Sequence, residues 1–161
     1  LAQLNSSLSK GSVGSLVPIF NTASVVGYGA TIAALPAFAM IKQSLIRLSP
    51  GNPLVSEAVA VNVLAGITGS ASGGLSIAME ILGDTYYRWA LETGIRPEFM
   101  HRVASMASGG LDSLPHNAAV ITLLIVCGLT HRQSYLDIAV VSVVIPIIAT
   151  CAVVVTGTLL G

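Results

Sequence analysis

The sequence has little charge, since Asp, Glu, Lys and Arg make up only 9% of its 161 residues, against about a quarter in ordinary globular proteins. Hydrophobic residues make up 53%. A soluble domain of this size needs a more polar surface than these residues can supply, so we expect lipid to be the solvent for most of it. The formal net charge is zero, which argues against the basic face that binds nucleic acid.

Cysteine is also scarce, and both cysteines lie in apolar runs. Cys127 and Cys151 show no metal-ligand spacing, so we interpret them as small packing residues and predict neither a metal nor another cofactor. The chain begins at Leu1 and has no charged segment followed by a short apolar one, so no signal peptide is predicted. We expect residues 1–161 to be the C-terminal fragment of one transmembrane domain.

Long charge-free runs dominate the sequence, at 11–41, 58–79 and 103–130. The first would form a helix of roughly 46 Å, longer than a hydrocarbon core of about 30 Å. Glycine and small polar residues interrupt each run near its middle, at 21–24 with 27–29, at 66–74 and at 107–117. The predicted segments are therefore 12–41, 58–82, 101–130 and an uninterrupted 138–160, with an interfacial helix at 84–99 and a polar turn at 130–137.

The basic residues favour a re-entrant hairpin at 58–82. If this segment turns back, the basic residues divide between the two sides as Lys42, Arg47, Arg88, Arg96 and Arg102 against Lys10 and Arg132. If the segment crosses, the division is nearly even, so the hairpin gives the stronger positive-inside bias. The run at 11–41 is the alternative position for the hairpin, and the membrane orientation stays open.

Interrupted helices predict a polar site within the membrane. Backbone groups released from helical pairing are costly in hydrocarbon, so irregular backbone survives there where it lines a cavity or is buried in protein. Glycine lets the backbone approach a ligand, and the N-terminus of a half-helix favours a carboxylate. These features favour a small anion that carries hydroxyl groups. The alternative is that the small residues serve close helix packing.

The interruption at 107–117, ASGGLDSLPHN, contains the ionisable pair Asp112 and His116. A carboxylate at membrane depth is costly unless a proton or partner compensates it, so Asp112 is a candidate proton carrier. Its alternative role is a cap for a half-helix that begins after Pro115. His116 either titrates or orients a neighbour by a hydrogen bond, and Glu80 is interpreted as an interfacial anchor. The opening letters Ala-Ser-Gly-Gly-Leu also occur at 71–75, which suggests one design used twice.

Three stretches carry a resemblance to a known family. HRVASMASGGLDSLPHNAAVITLL at 101–124, followed by GLTHRQSY at 128–135, resembles the C-terminal part of the gluconate permease family of bacterial sugar-acid:proton symporters. PIFNTASVVGYGATIAALPAF at 18–38 and NVLAGITGSASGGLSIAM at 62–79 are similar to the same family, in the same order. One departure is Ala118, where the family pattern leads us to expect glycine after LPHN.

The resemblance implies an all-α polytopic transporter of the bacterial inner membrane, with broken transmembrane helices, a re-entrant hairpin and inverted repeats. It also implies proton-coupled uptake of gluconate or a related hydroxylated monocarboxylate. The candidate proton-coupling residues are Asp112 and His116, because both are ionisable groups predicted at membrane depth. The candidates for substrate binding lie in the three interruptions, and part of the set coincides with the family's motifs. They are Asn21, Thr22, Ser24, Thr68, Ser70, Ser72, Gly73, Gly74, Ser108, Gly109, Gly110, Ser113 and Asn117.

The expected partners are the sugar acid, protons, the lipid bilayer and the remainder of the transporter, with a homo-oligomer left open. Two rival functions stay as alternatives. One is a membrane subunit that transports nothing, in which the breaks only serve packing. The other is an intramembrane serine protease, which would need Ser72 within hydrogen-bond reach of His116. We expect the chain not to be an enzyme.

Overall fold

A computed structural model describes residues 2–47 and 51–160 of the chain. Every regular element within these two ranges is helical, which confirms the all-α prediction for them. The helices are α1 (Ala2–Ala33), α2 (Ala37–Arg47), α3 (Pro53–Thr68), α4 (Ala71–Thr93), α5 (Pro97–Ala107), α6 (Ala118–Cys127), α7 (His131–Ala139) and α8 (Ile145–Leu160), with a π-helical segment at Val140–Val144 between the last two.

Helix α3 lies at the centre of the bundle. It contacts α1, α2, α4, α5 and α8. Its side chains Val61 and Leu64 share one apolar core with Leu82 of α4 and Val103 of α5. A helix that is apolar on all sides has to be covered on all sides, so the central position of α3 follows from its composition.

The predicted interruption of the second run is present, between α3 and α4. Gly69 ends α3 in the left-handed conformation, with φ of 61°, and its N–H bonds to the carbonyl oxygen of Ala65. Ser70 then caps α4, because its hydroxyl oxygen accepts a hydrogen bond from the N–H of Gly73. A left-handed glycine followed directly by a serine cap stops one helix and starts the next within two residues.

The interruption of the third run is also present, and it is longer. α5 ends at Ala107, turns occupy 108–116, and α6 begins at Ala118 with Asn117 as its cap. The two Ala-Ser-Gly-Gly-Leu stretches therefore differ in structure. The first is the opening turn of α4, whereas the second ends α5 and enters the turns. Ser70 provides a cap before the first copy, and the second copy instead follows a helix that began at Pro97.

The first run is interrupted at a different position from the one predicted. α1 continues from Ala2 to Ala33 through 21–24 and 27–29. Single glycines or small polar residues cost a helix about 1 kcal/mol or less each, which a long helix tolerates. The break follows at 34–36, where Pro36 disfavours the helical conformation of Leu35.

The interfacial helix predicted at 84–99 is not a separate element. α4 continues from Ala71 to Thr93 and ends at Gly94, with φ of 76°, after which α5 begins at Pro97. The mixed charges of this stretch suggested a change of element. However, no proline or left-handed glycine lies between 84 and 93 to stop the helix.

The polar turn predicted at 130–137 is helical instead. Thr130 and Gln133 form a capping box that starts α7 at once. The helix then continues through the π-helical segment to Leu160, so that His131–Leu160 spans 30 residues. Its length of about 45 Å exceeds a hydrocarbon core of about 30 Å. Within the described part of the chain, it is the one helix long and apolar enough to cross a membrane.

The outer surface of the bundle is apolar along α6, the π-helical segment and α8. A surface of this kind is typical of one that faces lipid or further protein. α8 approaches the core most closely at Gly157, where a Cβ atom would lie 2.9 Å from Leu54 and 3.0 Å from Phe99. Exposed apolar side chains on these elements include Leu123, Ile125, Val126, Val141, Ile148, Val155 and Leu159.

Candidate functional site

The two helix breaks contact each other. The side-chain amide of Asn117 donates a hydrogen bond of 2.7 Å to the carbonyl oxygen of Gly69. Nε2 of His116 lies 2.9 Å from the carbonyl oxygen of Gly66. A carbonyl only accepts, so Nε2 carries the proton in this contact. We term this contact between residues 66–71 and 110–117 the junction.

Glycines permit the close approach at the junction. A Cβ atom on Gly66 would lie 3.1 Å from the Cβ of Leu111. One on Gly69 would lie 2.9 Å from Cδ2 of His116. A Cβ on Gly110 would overlap Oδ1 of Asn62. These contacts are of the kind that the packing alternative describes, in which small residues let helices approach closely.

Asp112 lies in the turns of the junction and is half-buried. The hydroxyl of Ser113 donates a 3.1 Å hydrogen bond to its Oδ1, and the carboxylate interacts with the backbone N–H of Ala71, the first residue of α4. The alternative role of Asp112 as the cap of the second half-helix is wrong. Asn117 is that cap, because its Oδ1 accepts from the N–H of Val120 at 2.9 Å.

Two helix N-termini, those of α4 and α6, meet at the junction. Ser70 and Asn117 each satisfy one backbone N–H of these helices. The hydroxyl of Ser72 is exposed and lies 3.4 Å from that of Ser70. The junction therefore places the positive ends of two helix dipoles near a pair of serine hydroxyls. Such a group of donors suits an anion that carries hydroxyl groups.

Other predicted residues serve the protein's own hydrogen bonding or packing. The hydroxyl of Thr68 donates to the carbonyl oxygen of Leu64 at 2.8 Å. Ser108 is buried and donates to the carbonyl oxygen of Ser105 at 2.8 Å. Gly74 is closed against α3, since a Cβ there would overlap the backbone of Ala65.

The remaining candidates lie at the margin or elsewhere. Gly73 belongs to the first turn of α4, and Gly109 is loosely surrounded, with its nearest contact to a Cβ at 3.6 Å. Ser24 is exposed on α1. The side chains of Asn21 and Thr22 lie outside the described residues. The structure therefore brings together the candidates from the second and third runs.

The pair required by the serine protease alternative is not formed. Ser72 has its hydroxyl beside Ser70, and the Nε2 of His116 is bonded to the carbonyl oxygen of Gly66. Nucleophilic catalysis needs a base within hydrogen-bond reach of the serine. The contact of His116 with the carbonyl oxygen of Gly66 is a hydrogen bond of the kind that an orienting residue makes.

Sequence reasoning missed three residues that shape the junction. Oδ1 of Asn62 is buried and has no hydrogen-bond partner among the described residues. Nε2 of His131 lies 2.9 Å from the carbonyl oxygen of Pro115, and the hydroxyl of Tyr135 donates to the backbone carbonyl oxygen of Ser113 at 3.1 Å. Asn62 could have been found from the sequence, because it is a polar residue inside the apolar stretch AVAVNVLAG. No local pattern indicated that His131 and Tyr135 reach the junction.

The chain is similar to a curated protein, the uncharacterized transporter YxjC of Bacillus subtilis (strain 168). The two are 50% identical over 143 residues, which cover 89% of this chain and 30% of that protein. This chain therefore spans less than a third of the relative's length. No family model matches the sequence, and no solved structure matches it.

Proposed function

We propose that this chain is part of a secondary active transporter that takes up gluconate or a related hydroxylated monocarboxylate together with protons across the bacterial inner membrane. The observation that carries the proposal is the pairing of two helix breaks by His116 and Asn117. The similarity to a protein named as a transporter supports it. So does the resemblance of three stretches to the gluconate permease family.

The lengths of the half-helices suit a site at membrane depth. α3 has 16 residues and α6 has 10, which correspond to about 24 Å and 15 Å, both shorter than a hydrocarbon core of about 30 Å. If these helices enter the bilayer, their broken ends lie within it. Irregular backbone there is tolerated where it lines a cavity or is buried in protein.

The groups at the junction favour an anion over a cation. The carboxylate of the substrate would lie toward the N-terminal turns of α4 and α6, where the helix dipoles are positive. Its hydroxyl groups would meet the hydroxyls of Ser70 and Ser72. This assignment keeps Ser70, Ser72, Ser113 and Asn117 as members of the substrate site.

The proposal is tested by uptake of labelled gluconate into liposomes that contain the complete protein, under an imposed inward proton gradient. Accumulation that collapses with an uncoupler is the expected result. Glucitol, which has the hydroxyl groups without the carboxylate, is the control solute and should not accumulate. Accumulation of gluconate that ignores the uncoupler would overturn proton coupling, and absence of uptake for every sugar acid would overturn the substrate class.

Asp112 remains the proposed proton carrier at the junction. Asp112→Asn should abolish uphill uptake and leave exchange of substrate between the two sides of the membrane partly intact, because exchange needs no net proton movement. Asp84→Asn is the matched control, since Asp84 is an exposed carboxylate on α4. Full uphill uptake by Asp112→Asn would exclude Asp112 as the carrier.

A further inference from the structure

Glu57 is a carboxylate in the interior of the bundle. Its exposed fraction is 2%, and Oε2 has no hydrogen-bond partner among the described residues. Its neighbour Ser56 is fully buried. The hydroxyl of Ser56 forms hydrogen bonds with the carbonyl oxygen of Leu45 at 3.3 Å and with the hydroxyl of Tyr86 at 3.1 Å. Glu57 therefore lies in a packed region beside a completed hydrogen-bond network.

One side of Glu57 borders a cleft between α3, α4 and α5 with a volume of about 280 Å³. Its lining is mainly apolar, and Leu75 and Met100 are examples. The exposed side chains of Met79, Tyr87 and His101 also line it, so the cleft opens at the surface of the bundle. The carboxylate is therefore enclosed except on the side where this cleft opens.

An ionised carboxylate in such a place is costly unless a partner neutralises it. Within the described part of the chain, no ion pair and no group of three potential metal ligands involves Glu57. Hard metal cations take about six or more oxygen ligands, and the oxygen-bearing side chains of the cleft are Glu57, Ser105 and two tyrosines. The hydroxyl of Tyr86 is bonded to Ser56. A proton is therefore the cation that fits.

We propose that Glu57 is a proton-binding site of the transport cycle, reached through the cleft between α4 and α5. The proposal rests on the function proposed above and adds to it a protonation site away from the junction. Binding and release of the proton at Glu57 would change the charge in the N-terminal part of α3. Because α3 ends at Gly69 in the junction, the two sites lie on one rigid element.

The titratable groups that share the cleft with Glu57 are Tyr86 and Tyr87 of α4 and His101 of α5. α1, α2 and α8 also pack against α3 but contribute no lining residue. Their described titratable side chains are all exposed, and the side chain of Lys42 lies outside the described residues. These exposed groups are Lys10, Tyr28, Arg47 and Cys151.

The experiment compares the complete wild-type protein in liposomes with Glu57→Gln and with Glu92→Gln, whose glutamate is exposed on α4. Two quantities are measured: gluconate accumulation under a proton gradient, and the infrared band of protonated carboxyl groups at neutral pH. Glu57→Gln should lose the Glu57 contribution to that band and lose accumulation, while exchange of gluconate persists. Glu92→Gln should match the wild type in both measurements.

The two measurements separate failure of this proposal from failure of the transport function. An unchanged infrared band in Glu57→Gln overturns the protonation site whatever the uptake. A lost band with wild-type accumulation overturns its role in coupling. If the wild type itself shows no proton-driven uptake, the function proposed above fails, and the band alone then decides whether Glu57 carries a proton.

A second variant covers the case in which Glu57→Gln does not fold. Glu57→Asp keeps a titratable carboxyl group on a shorter stem and should retain accumulation with a shifted pH dependence. An unchanged pH dependence in Glu57→Asp would overturn the proposal.

Discussion

The amide of Asn117 joins two helix breaks that are 48 positions apart in the chain, by a hydrogen bond of 2.7 Å to the carbonyl oxygen of Gly69. The same side chain caps α6 through Val120. One residue thus starts a helix and satisfies a carbonyl group at the end of another. The junction depends on this double role.

Asn117→Ala should lower the stability of the protein by about 1–3 kcal/mol, because it removes a helix cap and leaves a buried carbonyl oxygen unpaired. Thermal unfolding of the complete protein in detergent measures the change. Asn5→Ala is the control, since Asn5 is exposed on α1. Equal melting temperatures for the two variants would contradict the role given to Asn117.

Gly110→Ala should destabilise the protein by about 1–3 kcal/mol, because its Cβ would overlap Oδ1 of Asn62 and force one element to move. The adjacent Gly109→Ala should have little effect, since its Cβ would meet no atom closer than 3.6 Å. Unfolding curves for the two single variants provide the comparison. A larger loss for Gly109→Ala would show that the junction is arranged differently.

Alanine substitution at two glycines of α4 should change the stability of the protein in opposite directions. Gly74→Ala places a Cβ against the backbone of Ala65, which cannot yield as a flexible side chain can, so stability should fall by about 1–3 kcal/mol. Gly83→Ala meets nothing within 4 Å and should raise stability by about 0.5–1 kcal/mol through helix propensity. Thermal unfolding reports both, and a loss of stability in Gly83→Ala would argue against the observed helix.

His116→Gln distinguishes the orienting role of His116 from a titrating one. The amide of glutamine can donate to the carbonyl oxygen of Gly66 as Nε2 does, but it does not titrate. We expect this variant to keep the shape of the pH profile of gluconate uptake, and His116→Ala to lose most of the uptake. A flattened pH profile in His116→Gln would instead assign proton transfer to His116.

The interruptions at 69–70 and 108–117 were predictable because local chemistry determines where a helix stops. Gly69 adopts a positive φ, and Ser70 and Asn117 are strong caps. The same reasoning failed at 21–29, where glycine and serine are present without a left-handed glycine or an adjacent cap. Tolerance of small residues within a helix is decided by the whole element, and α1 continues through them.

The candidate site was predictable in part. The sequence drew attention to 66–74 and 107–117, and these segments do meet. Glu57 was missed, because it lies directly before the charge-free run at 58–79 and shows no pattern of its own. The cap at Asn52 starts α3 at Pro53, so Glu57 lies inside the helix instead of before it. Packing of α4 and α5 against α3 then buries the carboxylate, and no local pattern records that packing.

Composition alone determined the class of environment, because so few charged side chains cannot cover a surface in water. Glycine, proline and capping residues determined most of the helix ends, since these residues act within one turn of the backbone. Only the tertiary structure decided that Asn117 meets Gly69, that Asn62 lies against Gly110 and that Glu57 faces a cleft. Contacts between residues distant in the chain depend on how whole helices pack. No local sequence pattern specifies that packing.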